Sequence, residues 1–177
     1  MTTGTDWGAS VRRHDWKSPL RDQAKAVATR LRLHHHGIWA MDGSIENVEV
    51  SVTERVHAHS VTLSISVTTR HAFGPEGLRA IHQGAGIPRL VQWARRQGIV
   101  VGRGRSAIRV VATDADQLRS WLTDERREAL EALGRVDGKL LLDGTGLRLR
   151  SNTIGKDATQ VERTIQSMVT AVVRFSS

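Results

Sequence analysis

The sequence predicts an α+β fold: an antiparallel sheet built from two strand groups, with helices packed mainly on one face. Three observations point to it. Val48, Val50 and Val52, then Val61, Leu63, Ile65 and Val67, alternate with polar residues, the period of a strand with one buried face. Residues 108–150 spell a strand, two capped helices and a hairpin in succession. Leu20, Ala24, Val27 and Leu31, and later Val161, Ile165, Met168, Val172 and Phe175, recur at helical spacing, so each segment has one apolar stripe to bury.

In chain order, residues 1–17 mix Thr, Gly and charge with Trp7, Val11 and Trp16 and show no helical stripe, so they read as a flexible tail. Tryptophan is enriched where proteins meet, which makes Trp7 and Trp16 candidate contacts for a partner or a second copy of the chain. The other reading folds both rings back onto the domain's own core. Residues 18–177 are expected to form one α+β domain. A helix, a strand, an Asp-Gly pair and a strand occur near 19–52 and again near 123–150, so coincidence and two pseudo-repeated halves (18–100 and 101–177) both remain open.

Ser18 as cap and Pro19 as first helical residue predict the first helix. Strands are expected over 33–41, 45–56 and 59–69, with Asp42-Gly43 as the first hairpin turn because both residues tolerate positive φ. Residues 87–97 carry a helical pattern, with Arg95 and Arg96 at its C-terminal end. Gly102 to Arg105 reads as a loop into a central strand at Ile108, Val110 and Val111. Thr113, with Asp116 three residues on, predicts one helix start and Thr123 a second, while Gly134 stands where a left-handed C-terminal cap is wanted. A hairpin around Asp143-Gly144 and a helix over 157–175 complete the chain.

With 177 residues, 39% hydrophobic and 25% charged, the chain has the balance of a soluble globular domain, and no apolar run approaches the roughly 20 residues of a membrane helix. The start lacks an apolar secretory segment, so a cytoplasmic location is expected. The absence of cysteine excludes disulfides, thiolate nucleophiles and cysteine-held metals. A net charge of +8 attracts polyanions, although the basic residues are spread along the chain with acidic ones between them.

Chemistry-bearing patterns are few. His34, His36, His57 and His59 would converge on one ion if the strand ends met, since imidazole suits zinc, copper or nickel, but no flanking carboxylate is evident as support. A surface histidine strip is the simpler reading. Arg95, Arg96, Arg103 and Arg105, with the bare amides of Gly102 and Gly104, could contact a phosphate or nucleic acid, yet the spacing matches no nucleotide-binding fingerprint. Solvent-exposed connectors also look like this. Hydrolase, metalloprotease and lactamase templates all fail, so the chain reads as a non-enzyme with no cofactor.

The run Arg109-Val110-Val111-Ala112-Thr113-Asp114, the segment Leu122-Thr123-Asp124-Glu125-Arg126-Arg127, and Asp137-Gly138-Lys139-Leu140 resemble a group of uncharacterised bacterial α/β domains from GC-rich genomes. The resemblance covers the C-terminal half and brings no functional residues with it. It implies a bacterial cytosolic domain. Together these readings favour a non-catalytic protein-interaction or scaffold component, with a basic nucleic-acid-binding accessory protein as the alternative.

Overall fold

A computed structural model describes residues 17–57, 60–82 and 98–177. Trp7, Trp16, His59, Arg95, Arg96 and the helix expected over 87–97 lie outside the described residues.

Helix α1 (Lys17–Leu31) starts before Ser18, and Pro19 still falls in the first turn, where N–H groups have no intrahelical acceptor. Ala24, Val27 and Ala28 form its buried stripe. The helix ends at Arg32, which takes φ 57°. Leu33 N donates to Ala28 O at 2.8 Å and Arg32 N to Thr29 O at 3.2 Å. That is a Schellman ending, with arginine where glycine is usual.

The expected strand over 33–41 breaks into β1 (His34–His35) and β2 (Met41–Ile45). Between them the chain folds inward: Ile38 N donates to Glu54 Oε1 at 2.9 Å, Trp39 N donates to Glu54 Oε2, and Trp39 is fully buried. With residues 38 and 39 held by that carboxylate, the run after Ala40 pairs with β3 (Val48–Val56), and Asp42-Gly43 lies inside β2 opposite Ser51 and Val50. The turn is instead Glu46-Asn47, at φ 50° and 65°, closing a two-residue hairpin between Ile45 and Val48. Two left-handed residues give such a turn a twist that matches its strands.

β4 (Val61–Thr68), β5 (Arg79–His82), β6 (Ile99–Val101) and β7 (Ile108–Val111) follow. Asp114, not Thr113, caps α2 (Ala115–Trp121), accepting from the amides of Asp116 and Gln117. Thr123 caps α3 (Asp124–Gly134) as expected. Gly134 is the last helical residue and lacks positive φ; it is glycine because an added Cβ would lie 2.0 Å from Ser106 O. The hairpin β8 (Lys139–Asp143) and β9 (Gly146–Ser151) precedes α4 (Ala158–Ser176), which Asp157 caps.

Among the described residues the strands form one antiparallel sheet of nine in the order β1-β2-β3-β4-β9-β8-β5-β7-β6, so the class is mixed α and β. β7 sits beside the outermost strand rather than at the centre, because the three-residue β6 pairs with it. α4 packs on β3, β4 and β9 and against α1 and α3, and α3 also reaches β6 and β7. Val161, Ile165, Met168, Val172 and Phe175 of α4 are buried with the valines of β3 and β4 and the leucines of β8 and β9. Each such side chain contributes roughly 1.5–3 kcal/mol over exposure. Arg30 Nη2 meets Glu162 Oε2 at 2.6 Å and ties α1 to α4.

Candidate functional site

Because directly opposed residues share a face, the pairings assign every strand side chain to the core or to a second face. Asp42, Ser51, Ser66, Arg148, Leu141, Ile81, Arg109 and Val100 form one continuous row across that second face. Above and below it stand Thr53, Ser64, Arg150 and Lys139, and Glu49, Thr68, Gly146, Asp143 and Arg79. The β2–β4 part is rich in hydroxyls, and the β9–β5 part carries cations. Ile81 and Val111 are buried there too, and Val100 is exposed.

The cations are unevenly matched. Lys139 lies directly opposite Arg150, and Arg148 follows two residues away along β9, all three exposed. Among the described residues, neither Lys139 nor Arg150 forms an ion pair. The acids nearby are engaged. Asp137 Oδ2 accepts from Thr153 Oγ1 at 2.7 Å, and Asp143 Oδ1 accepts from Thr145 N, Thr145 Oγ1 and Gly146 N at 2.8–3.1 Å. Glu49 Oε1 stands 4.0 Å from Arg70 Nε, and Asp42 Oδ1 stands 3.2 Å from His36 Nδ1. Burial alone would raise the Asp143 pKa, but the Thr145 and Gly146 donors and the charge of Arg148 outweigh it and hold the carboxyl below its ordinary value. A depression of about 490 Å³ opens beside the unpaired cations, lined by Thr62, Asp137, Lys139, Arg150, Ser151 and Asn152. It offers hydroxyl, amide and cationic donors to an anion.

Arg103 and Arg105 are exposed on the turn joining β6 to β7, where Gly102 and Gly104 take φ 83° and 60°. His82 pairs with Ile108 and Ile81 with Leu141, so this loop and Lys139 lie at the same end of the sheet. His34 and His36 are exposed on either side of half-buried His35, and His57 is exposed just after β3. Asp42 beside His36 is a carboxylate partner the linear sequence concealed; the β1–β2 pairing brings it there. Among the described residues no three His, Cys, Asp or Glu side chains are grouped to hold a metal ion.

A second concavity of about 700 Å³ lies at the other end of the sheet, between the β2–β3 turn, residues 69–74 and the end of α4. Its floor is Phe73, Phe175 and Trp121, with ring centroids 5.8 Å and 5.6 Å apart, all three buried. Arg126 lies 5.1 Å over the Trp121 ring and donates to Trp121 O at 2.8 Å and Arg174 O at 3.3 Å, capping the ends of α2 and α4. Its guanidinium is thus largely committed to holding helix ends together.

Lys139, Arg148 and Arg150 were not singled out by sequence motif. The signal was available: a turn closed by Asp143 and Gly146 places Lys139 opposite Arg150 by counting back along both strands. What counting could not supply is the neighbouring β4, which brings Thr62 and Ser64 to β9.

No family model matches the chain, and no curated protein matches it. Among solved structures, the crystal structure of the mycobacterial trehalose monomycolate transport factor A is similar, with TM-score 0.55 and 12% identity over 89% of this chain and 97% of that one. At that identity the likeness is one of fold. Among the described residues no helix is long and apolar enough to cross a membrane.

Proposed function

We propose that the chain is a non-catalytic accessory component of a bacterial assembly, acting by contact with another protein through the second face of its sheet. In this reading β1–β4 and β5–β9 are two strand groups joined at the β4–β9 pairing, the helices cover mainly one face, and the other is left for the partner. The observation that carries it is the charge imbalance there: Lys139 and Arg150 stand side by side without an anion, while the neighbouring acids are engaged. The fold's likeness to a protein described as a transport factor supports an accessory role. Trp7 and Trp16 would add contacts from the N-terminal tail.

The alternative is nucleic-acid binding, favoured by the net charge of +8 and by exposed Arg103 and Arg105 at the Lys139 end of the sheet. A photo-crosslinking amino acid at Ser51, exposed on the second face, tests both readings against one at Gln166, exposed on α4. The protein-contact reading expects a discrete adduct from position 51 alone, with the tagged partner recovering this chain in return. Adducts from position 166 alone, or none, would overturn it, and nuclease-sensitive adducts would favour nucleic acid.

A further inference from the structure

We propose that the partner presents an extended acidic segment to Lys139, Arg148 and Arg150, with one carboxylate seated in the depression beside Thr62 and Asn152. The inference rests on the protein-contact reading and names the chemistry of the contact.

Like charges placed directly opposite on neighbouring strands oppose folding. Lys139 and Arg150 are such a pair, and no ion pair among the described residues relieves them. An arriving carboxylate between the two heads converts repulsion into two charge-assisted hydrogen bonds. Thr62 and Asn152 line the same depression and add uncharged donors. Arg148 and Arg150 are alternate residues of β9, so they lie roughly 6.8 Å apart on one face. An extended peptide repeats its same-face side chains at that interval, so acids at alternate positions meet both arginines in register.

The surroundings favour a peptide over a nucleic acid. Asp137 lines the depression with its Oδ2 accepting from Thr153 Oγ1, and Asp143 lies close enough to Arg148 to feel its charge. Both interrupt the positive surface, which suits a segment whose charges alternate with neutral residues and opposes a continuous line of phosphates. Among the described residues of this face from β3 to β6 no Phe, Tyr or Trp offers a ring on which a base could stack, and the imidazole of His34, opposite Asp42, lies at the far β1 edge.

The test is fluorescence anisotropy of the full chain with three labelled probes: a ten-residue peptide alternating Ser and Glu, the same peptide with Gln for Glu, and a ten-residue thymidine oligonucleotide. The Ser-Glu peptide should bind and the Ser-Gln peptide should not. Lys139→Gln with Arg150→Gln should weaken binding by about tenfold or more, Arg148→Gln should weaken it too, and Arg21→Gln on exposed α1 should leave it unchanged. Absence of Ser-Glu binding, or equal losses in the Arg21 variant, would overturn the inference. So would an oligonucleotide that binds more tightly than the peptide and loses affinity in the Lys139 and Arg150 variant. If the peptide fails while the position 51 adduct forms, the acidic segment falls and protein contact stands; without that adduct, protein contact itself falls.

Discussion

Replacing Lys139 with glutamate should make the protein more stable. The hairpin register puts residues 139 and 150 directly opposite each other, with Cβ atoms about 5 Å apart. Their charged heads, on mobile stems, average about 6 Å, where two unit charges in water interact by about 0.7 kcal/mol. Exposed pairs deliver roughly 0.2–1 kcal/mol in practice. Lys139→Glu removes a repulsion of that size and installs an attraction of similar size, for a gain of about 1 kcal/mol. Strand propensity hardly changes, since Lys and Glu are both disfavoured there. In a chain of this length that gain raises Tm by about 2–4 °C. Thermal and urea unfolding at low ionic strength measure it, and at about 1 M salt, where the screening length is about 3 Å, it should nearly vanish. Lys139→Gln should fall midway. A Lys139→Glu protein no more stable than the parent at low salt, or one whose advantage ignores salt, would refute the juxtaposition. The same substitution should abolish binding of the acidic peptide, so stability and binding should move in opposite directions.

Other predictions concern the frame that carries the site. Arg32→Gly should stabilise the fold by about 1 kcal/mol, read by urea unfolding, because arginine at φ 57° is strained where glycine is not. Gly134→Ala should destabilise it by about 1–3 kcal/mol in the same assay, since its methyl would meet Ser106 O at 2.0 Å; a neutral result would contradict the close approach. Arg126→Ala removes two hydrogen bonds from a charged donor and a cation–π contact, so a loss of about 2 kcal/mol is expected on melting. The depressed pKa of Asp143 means that its stabilising contribution is present above the ordinary carboxylate value, near 3.9, and is lost as pH falls through the lower folded value. Urea midpoints should therefore drop less steeply on acidification in Asp143→Asn than in the parent, and parallel curves would refute the assignment.

The legible parts of this fold are those in which one local signal had no competitor. The alternating valines of β3 and β4 stay half-buried strands because a slip of one residue would put every valine in water. Thr123 caps as expected, and Asp157, expected as the first residue of the last helix, caps it instead, since an oxygen just ahead of an apolar stripe has free amides to accept from. Where two signals competed, distant contacts decided. Asp42-Gly43 has the composition of a turn, but Glu54 holds residues 38 and 39 from sixteen and fifteen positions away and leaves 41–45 as the partner of β3. Thr113 and Asp114 are both capping types, and Asp114 captures the Asp116 and Gln117 amides. Gly134 looks like a helix stop in one dimension and is a point of close approach in three. The candidate site divides along the same line. Its cations follow from the local β8–β9 register, in which exposed Arg148 and Arg150 alternate with buried Leu147 and Leu149. The depression beside them is lined mostly by that hairpin and its flanks, and β4, more than eighty residues earlier in the chain, pairs with β9 and adds Thr62 as a further wall. A hairpin excised from the rest should therefore keep the clash of Lys139 with Arg150 but lose the wall that Thr62 supplies. The cations of the binding chemistry belong to the local register, and the Thr62 hydroxyl beside them belongs to the long-range pairing.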